Sequence, residues 1–268
     1  MIQRLSLNQI TTENWGLEEA IKGCERHEIS HISIWRHKLQ AFGLTETKAL
    51  LRDTGVNVSS LCRGGMFPAE TISERKANIE DNKWAIEEAA ELGTDVLVLV
   101  CGGMSSHNLS ESRKWVREGM EQIVPFAEEH GVKLGIEPLH PMYAADRSVI
   151  TTLGEANALK QRIGSEQVGV VVDVFHVWWD VNLYEEIQRA DGSILGFHVS
   201  DWKVPLPDVF KARAMMGDGV IDIPRIRAAV EKSGYGGPIE VEIINQHIWD
   251  QREDETLQVM KDRFLKYV

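Results

Sequence analysis

Residues 132–141 read VKLGIEPLHP. Apolar residues at 132, 134 and 136 run straight into Glu137, and two prolines then frame His140. A short buried-type run that ends in a carboxylate and a Pro-bounded loop reads as a strand delivering a polar group at its C-terminal end. Seven other runs have the same character: RLSLN (4–8), ISHISIW (29–35), NVSSLC (57–62), DVLVLV (95–100), GVVVDV (169–174), ILGFHV (194–199) and IEVEII (239–244). The segments between them carry helical signals. Val116, Gly119, Met120, Ile123 and Ala127 repeat at helical spacing, as do Ile79, Ile86, Ala89 and Ala90, and Leu257, Met260 and Phe264 give the last segment an apolar stripe. Thr152 with Glu155 predicts a capping box, and Asp222 predicts a helix start. The segment 182–191 completes the set after the sixth strand. Eight strands each followed by a helix predict an α/β fold, a (β/α)8 TIM barrel spanning 1–268 as a single domain. A doubly wound open sheet is the runner-up, but no GxGxxG follows the first strand.

The chain has 268 residues, 43% hydrophobic and 26% charged, as in an ordinary globular protein. One α/β barrel accommodates that length, and such a chain needs no disulfide or structural metal to fold. The net charge of −12 argues against a nucleic-acid partner, which needs clustered Lys and Arg. Cys24, Cys62 and Cys101 show no CxxC spacing and suit a reduced, cytoplasmic setting. The N-terminus lacks the apolar core of a signal peptide, and no window approaches the roughly 18 apolar residues of a membrane span.

Barrel enzymes carry their chemistry at the C-terminal ends of the strands. There the fifth strand presents Glu137, the sixth Asp173, the seventh His198 and the eighth Glu242. A lone acid in a strand pairs with Arg or Lys, and a lone histidine packs in a core. Four ligand types on consecutive strands at equivalent depth point instead to one divalent cation, which offsets the cost of burying all of them. Three oxygens and one imidazole without thiolate suit Mn2+ first, with Mg2+, Co2+ and Zn2+ as alternatives. Glu240 shares a face with Glu242; Glu242 is chosen because it lies nearer the strand's C-terminal end.

GIEPLHP, VVVDVFHVWW, FHVSDW and the GDGVID loop resemble the xylose isomerase-like (β/α)8 barrel superfamily of sugar isomerases and epimerases. That superfamily includes ketose 3-epimerases, hydroxypyruvate isomerases, inosose dehydratases and endonuclease IV. The resemblance covers essentially the whole chain. It implies that Glu137, Asp173, His198 and Glu242 bind a single metal, and that the two glutamates form a proton-transfer pair. The acidic balance departs from the histidine-rich, three-metal endonuclease branch. EPLHP also resembles the catalytic subunit of C-glycoside deglycosidases, in which a histidine near the metal acts as base on a 3-keto-sugar.

The remaining candidates follow from position. His140, held between Pro138 and Pro141, is a candidate general base; the alternative is plain packing. His176 reads as a substrate-hydroxyl ligand or a partner of a ligand carboxylate. Arg213, before MMGDG, reads as a holder of a substrate oxygen or carboxylate, Lys203 more weakly so, and Trp35 and Trp202 as pocket walls. Asp146 and Arg147 read as a structural pair, Cys62 and Cys101 as packing residues. The GG pairs at 64–65 and 102–103 read as turns; they lack a P-loop lysine, which favours a non-phosphorylated substrate. The predicted reaction is proton abstraction next to the carbonyl of a small sugar or keto-sugar, by Glu137, Glu242 or His140. Its outcome is epimerisation, isomerisation or, by loss of a β-substituent, a lyase reaction. A non-catalytic barrel subunit of a complex is the reading from another class. By analogy with such barrels, a homo-oligomer or a second subunit is the expected assembly.

Overall fold

The computed structural model describes residues 2–268. Its strands are β1 (Leu5–Asn8), β2 (His31–Trp35), β3 (Asn57–Gly65), β4 (Val96–Val100), β5 (Lys133–Glu137), β6 (Val168–Asp173), β7 (Ile194–Val199), β8 (Asp201–Trp202), β9 (Arg213–Ala214) and β10 (Ile239–Val241). Eight of them close a parallel barrel in the order β1-β10-β7-β6-β5-β4-β3-β2, while β8 and β9 form a separate antiparallel pair beyond its mouth. Closure rests on the register of β1 with β10, where Leu5 pairs with Ile239 and Leu7 with Val241.

The strands are buried on both faces, as parallel strands under a shell of helices must be. Every residue of β4 is buried. Val96, Val98 and Val171 fill the barrel floor, with Leu195 against them. Val116, Met120, Ile123 and Ala127 of the helix Leu109–Glu129 face the barrel wall, as do Leu257, Met260 and Phe264 of Glu253–Tyr267. Each of these side chains larger than Ala127 contributes roughly 1.5–3 kcal/mol when fully buried.

Several boundaries differ from the sequence reading for local reasons. β3 continues through Gly64 and Gly65, so that pair is strand rather than turn. Gly65 has φ 100°, and a Cβ there would lie 2.0 Å from the Val100 carbonyl oxygen. The Asn82 side chain closes the edge, accepting from Gly65 N at 2.6 Å and donating to Gly65 O at 2.7 Å. β10 ends at Val241, three residues short of the predicted run, because Ile243 N leaves the ladder to donate to Thr11 Oγ1 at 2.9 Å. The segment after β6 splits into a turn of helix, Val174–Val177, and the helix Leu183–Arg189. Thr152 caps the helix Leu153–Ile163 as predicted, but the Glu155 carboxylate reaches back to Thr151 N, at 2.7 Å, and not to Thr152. Asp222 caps Ile223–Lys232. Among the described residues, no helix is long and apolar enough to cross a membrane.

Candidate metal centre

β5, β6, β7 and β10 are neighbours in the barrel wall. Glu137 ends β5, Asp173 ends β6, His198 is the penultimate residue of β7, and Glu242 follows β10. Glu242 N still donates to Val199 O at 3.1 Å, so the extended run carries its side chain to the same level. All four side chains are buried, and one ligand-type atom from each lies within 4.8 Å of the others. His198 Nδ1 is 2.9 Å from Glu137 Oε1 and 3.5 Å from Glu242 Oε2. Neither contact has the alignment of a hydrogen bond. His198 Nδ1, Glu137 Oε1 and Glu242 Oε2 are all buried polar atoms without a hydrogen-bond partner. Buried polar atoms are normally satisfied. Converging orphans of this donor type fit a divalent cation, and these four residues could hold one.

The electrostatics show the same excess of negative charge. On the far side of the His198 ring, Nε2 lies 3.1 Å from Glu240 Oε2. Burial favours a neutral ring, yet Glu240, Glu137 and Glu242 together raise His198 well above its usual pKa. Burial pushes Asp173 up to about 7 against the pull of Arg213, with Glu242 and Glu137 adding to the rise. Glu242 is also penalised by burial, but Arg213 and His198 hold it below the usual carboxylate range.

Arg213 is part of this group. It donates to Asp173 Oδ2 at 2.6 Å and lies 3.3 Å from Glu242 Oε2, and its other terminal nitrogen donates to His176 Nε2 at 3.0 Å. With Nε2 accepting, His176 carries its hydrogen on Nδ1, a buried atom without a partner. Burial and the Arg213 charge drive its pKa well below the usual value, so it is neutral.

Glu137, Glu242, His176, Arg213 and Trp35 line a small cavity of about 40 Å³ together with Arg63 and Arg147. Phe210, from the segment between β8 and β9, also lines it and packs near Leu139 and Tyr143. A neighbouring lobe of about 340 Å³ shares Trp35, Cys62 and Arg63 with it. A larger cavity of about 430 Å³, lined by Arg113, Lys114, Arg117 and Arg162 among others, lies on the outer helices and is lined by none of the four clustered residues.

His140 and Trp202 do not line the small cavity. They stack on each other, ring centroids 5.1 Å apart, and Trp202 leans on Phe175 and Trp178. Trp179 meets His140 edge-on at 5.5 Å. His140 Nδ1 accepts from Met142 N at 3.2 Å, and burial lowers its pKa. The neutral ring therefore holds its hydrogen on Nε2 and presents a donor. Asp146 and Arg147 make no ion pair; the Arg147 guanidinium lies 3.9 Å from the Phe210 ring centroid instead. Cys62 and Cys101 are buried free thiols.

Two acids do work that the sequence reading did not assign. Glu240 accepts from Ser59 Oγ at 2.8 Å and Ser60 Oγ at 2.7 Å, and supports His198 from below. Asp201 accepts from the backbone N–H groups of Gly217, Gly219 and Ile221, at 2.8–3.0 Å, and so pins the GDGVID loop. The glycine spacing of that loop was a readable signal for a carboxylate that collects amides.

The profile of the xylose isomerase-like TIM barrel family matches residues 21–266. L-ribulose-5-phosphate 3-epimerase UlaE of Shigella boydii is 29% identical over 218 residues, 79% of this chain and 72% of that protein. The crystal structure of protein SMc04130 from Sinorhizobium meliloti 1021 superposes with a TM-score of 0.97 at 44% identity, over 100% of this chain and 99% of that one. The structure of IOLI protein with a bound zinc atom superposes with a TM-score of 0.85 at 22% identity, over 99% of both chains. The chain belongs to the xylose isomerase-like TIM barrel family and is an enzyme of that superfamily.

Proposed function

We propose that this chain is a divalent-metal-dependent epimerase or isomerase of a sugar or keto-sugar that works by proton abstraction next to a carbonyl. The observation that carries the reading is the convergence of unpartnered buried atoms on Glu137, His198 and Glu242 beside Asp173. These four residues would hold the cation: Mn2+ first, for a mainly oxygen donor set, with Zn2+, Mg2+ and Co2+ as alternatives. When bound, the cation supplies Lewis acidity that polarises the substrate carbonyl. Sugar epimerisation is the activity named for the UlaE relative.

Glu137 and Glu242 stand at the two ends of the four-strand arc, with Asp173 and His198 between them. Carboxylates placed this way can address opposite faces of one carbon. One removes the proton and the other returns one. Return to the opposite face gives an epimer; return to the neighbouring carbon gives an aldose–ketose isomer. His176 offers its unpartnered Nδ1–H to a substrate hydroxyl. Arg213 holds Glu242 ionised and orients His176, and Trp35 supplies an apolar wall for a sugar face. Trp202 backs His140, which presents a donor at Nε2. The deglycosidase form of the lyase alternative uses His140 as base and therefore needs the other tautomer, against its bond from Met142 N. The buried free thiols accord with a reducing cytoplasm.

The test is metal content after purification with Mn2+, followed by NMR of candidate ketoses in D2O. The expected result is one ion per chain and deuterium entering at the carbon next to the carbonyl. Protein that holds no metal, or metal-loaded protein that exchanges no ketose, overturns the reading.

A further inference from the structure

Three arginines, Arg63, Arg147 and Arg213, line the cavity beside the clustered ligands. They differ in how their charge is met. Arg213 is paired with Asp173 and Glu242. Arg63 makes no ion pair and no side-chain hydrogen bond among the described residues. Arg147 rests on the Phe210 ring and, among the described residues, makes no ion pair; the adjacent Asp146 carboxylate acts on it only at a distance, and burial outweighs that pull. Both are partly buried. The chain carries 41 acidic against 29 basic residues, so acids are not scarce. Arg36, next to the same space, has two of them, Asp81 and Glu88. A partly desolvated guanidinium without a counter-charge costs free energy. Two of them facing one cavity make a receptor for an anion, which the planar guanidinium fork grips in bidentate fashion. Arg63 also lines the adjoining lobe with His37, Gln40 and Asp81, whose carboxylate is paired with Arg36.

We propose that the substrate is an anionic sugar, bearing a phosphate or carboxylate at the end away from its carbonyl, and that Arg63 and Arg147 bind that group. The proposal rests on the sugar-enzyme reading above and names the substrate class of the same site. A glycine-rich phosphate loop is not required, because side chains rather than backbone amides hold the anion. Phe210 lies on Arg147 and must yield part of that contact when the anion enters.

Two measurements on metal-loaded protein test it. Titration calorimetry with inorganic phosphate, and separately with acetate, reads anion binding in the wild type, Arg63→Gln and Arg147→Gln. Deuterium exchange compares a neutral ketopentose, its 5-phosphate and a keto-hexuronate. At least one anion should bind the wild type and bind about tenfold or more weakly in each variant, with Arg147→Lys, which keeps the charge but not the fork, restoring only part of the loss. The matching anionic sugar should exceed the neutral one by about a hundredfold in kcat/KM, and that ratio should shrink about tenfold in the variants through KM. The responding arm, phosphate or carboxylate, names the group. Anion affinity equal in the wild type and both variants is binding to the metal alone and overturns the proposal. So does a neutral ketose used as well as the anionic ones. Variant-sensitive anion binding without exchange from any ketose overturns the functional reading and leaves the anion site standing.

Discussion

Glu240 and Glu242 sit two residues apart at the end of the last barrel strand, share a face, and are both buried. Glu240 is answered by the protein: Asn8, Ser59 and Ser60 donate to it, and His198 Nε2 lies 3.1 Å away. Burial disfavours its charge, but His198 and the hydroxyls more than offset that and hold its pKa below the usual value. Glu242 has an orphaned oxygen and shares one arginine with Asp173. One rung of the pleat therefore separates a sealed polar layer from an open one. Strand parity says which residues face the barrel axis. Depth decides whether a carboxylate supports the site or has capacity left for a ligand.

The largest expected effect comes from the open layer. Glu242→Gln and Glu137→Gln should each lower ketose exchange by about a thousandfold, within the range for removing a proton-transfer group, and weaken metal retention. Single-turnover exchange and metal analysis read the two losses separately. Near-normal exchange in both variants would erase the distinction between the layers. In the sealed layer, Glu240→Ala should cost stability first, about 3–5 kcal/mol in urea unfolding, because it strands a buried His198 and three donors. Metal affinity should fall by about tenfold to a hundredfold through the freed ring. An unchanged urea midpoint would show that Glu240 is not needed where it stands.

Titration sharpens the contrast further. In metal-free protein, Asp173 is raised to about 7, so the folded state keeps a proton that the unfolded chain releases near pH 4. His198, raised well above its usual value, keeps one that the unfolded chain releases near pH 6.5. Both shifts make the folded state bind more protons. The stability these two groups contribute to metal-free protein should therefore fall as pH rises, from about 4 to 7 for Asp173 and from about 6.5 upward for His198, while His176 and His140, held below their usual values, contribute the opposite slope until the unfolded histidines have titrated, by about pH 7.5. Metal loading needs these ligands deprotonated and should flatten or reverse the trend. Tm of chelated and loaded protein between about pH 7.5 and pH 8.5, above the range in which the depressed histidines act, checks this, and a chelated protein that gains stability over that range contradicts it. The smallest effect is expected at His140, which belongs to neither layer. His140→Ala should retain metal and lose about tenfold or less in turnover, the loss of one donor. A thousandfold collapse would restore it as the base.

Much of this was legible in the sequence, for a physical reason. Alternating side-chain direction and apolar runs are local, so the strands and the four polar residues near their ends could be read without a fold. The same locality explains the errors. The glycines at 64–65 look like a turn because the chain cannot reveal that Val100 passes 2.0 Å from where a Cβ would be. Asp146 and Arg147 look like a pair because they are adjacent, while the Phe210 ring that Arg147 meets lies elsewhere in the chain.

From the sequence alone came the barrel, the order of its strands and the buried acids and histidine near their C-terminal ends. The tertiary structure alone decided how the charges are shared. Arg213 reaches Asp173 across 40 residues, and Ser59 reaches Glu240 across 181. Those contacts exist only once the barrel closes, because only closure removes water and forces each buried charge to find a partner or to wait for one.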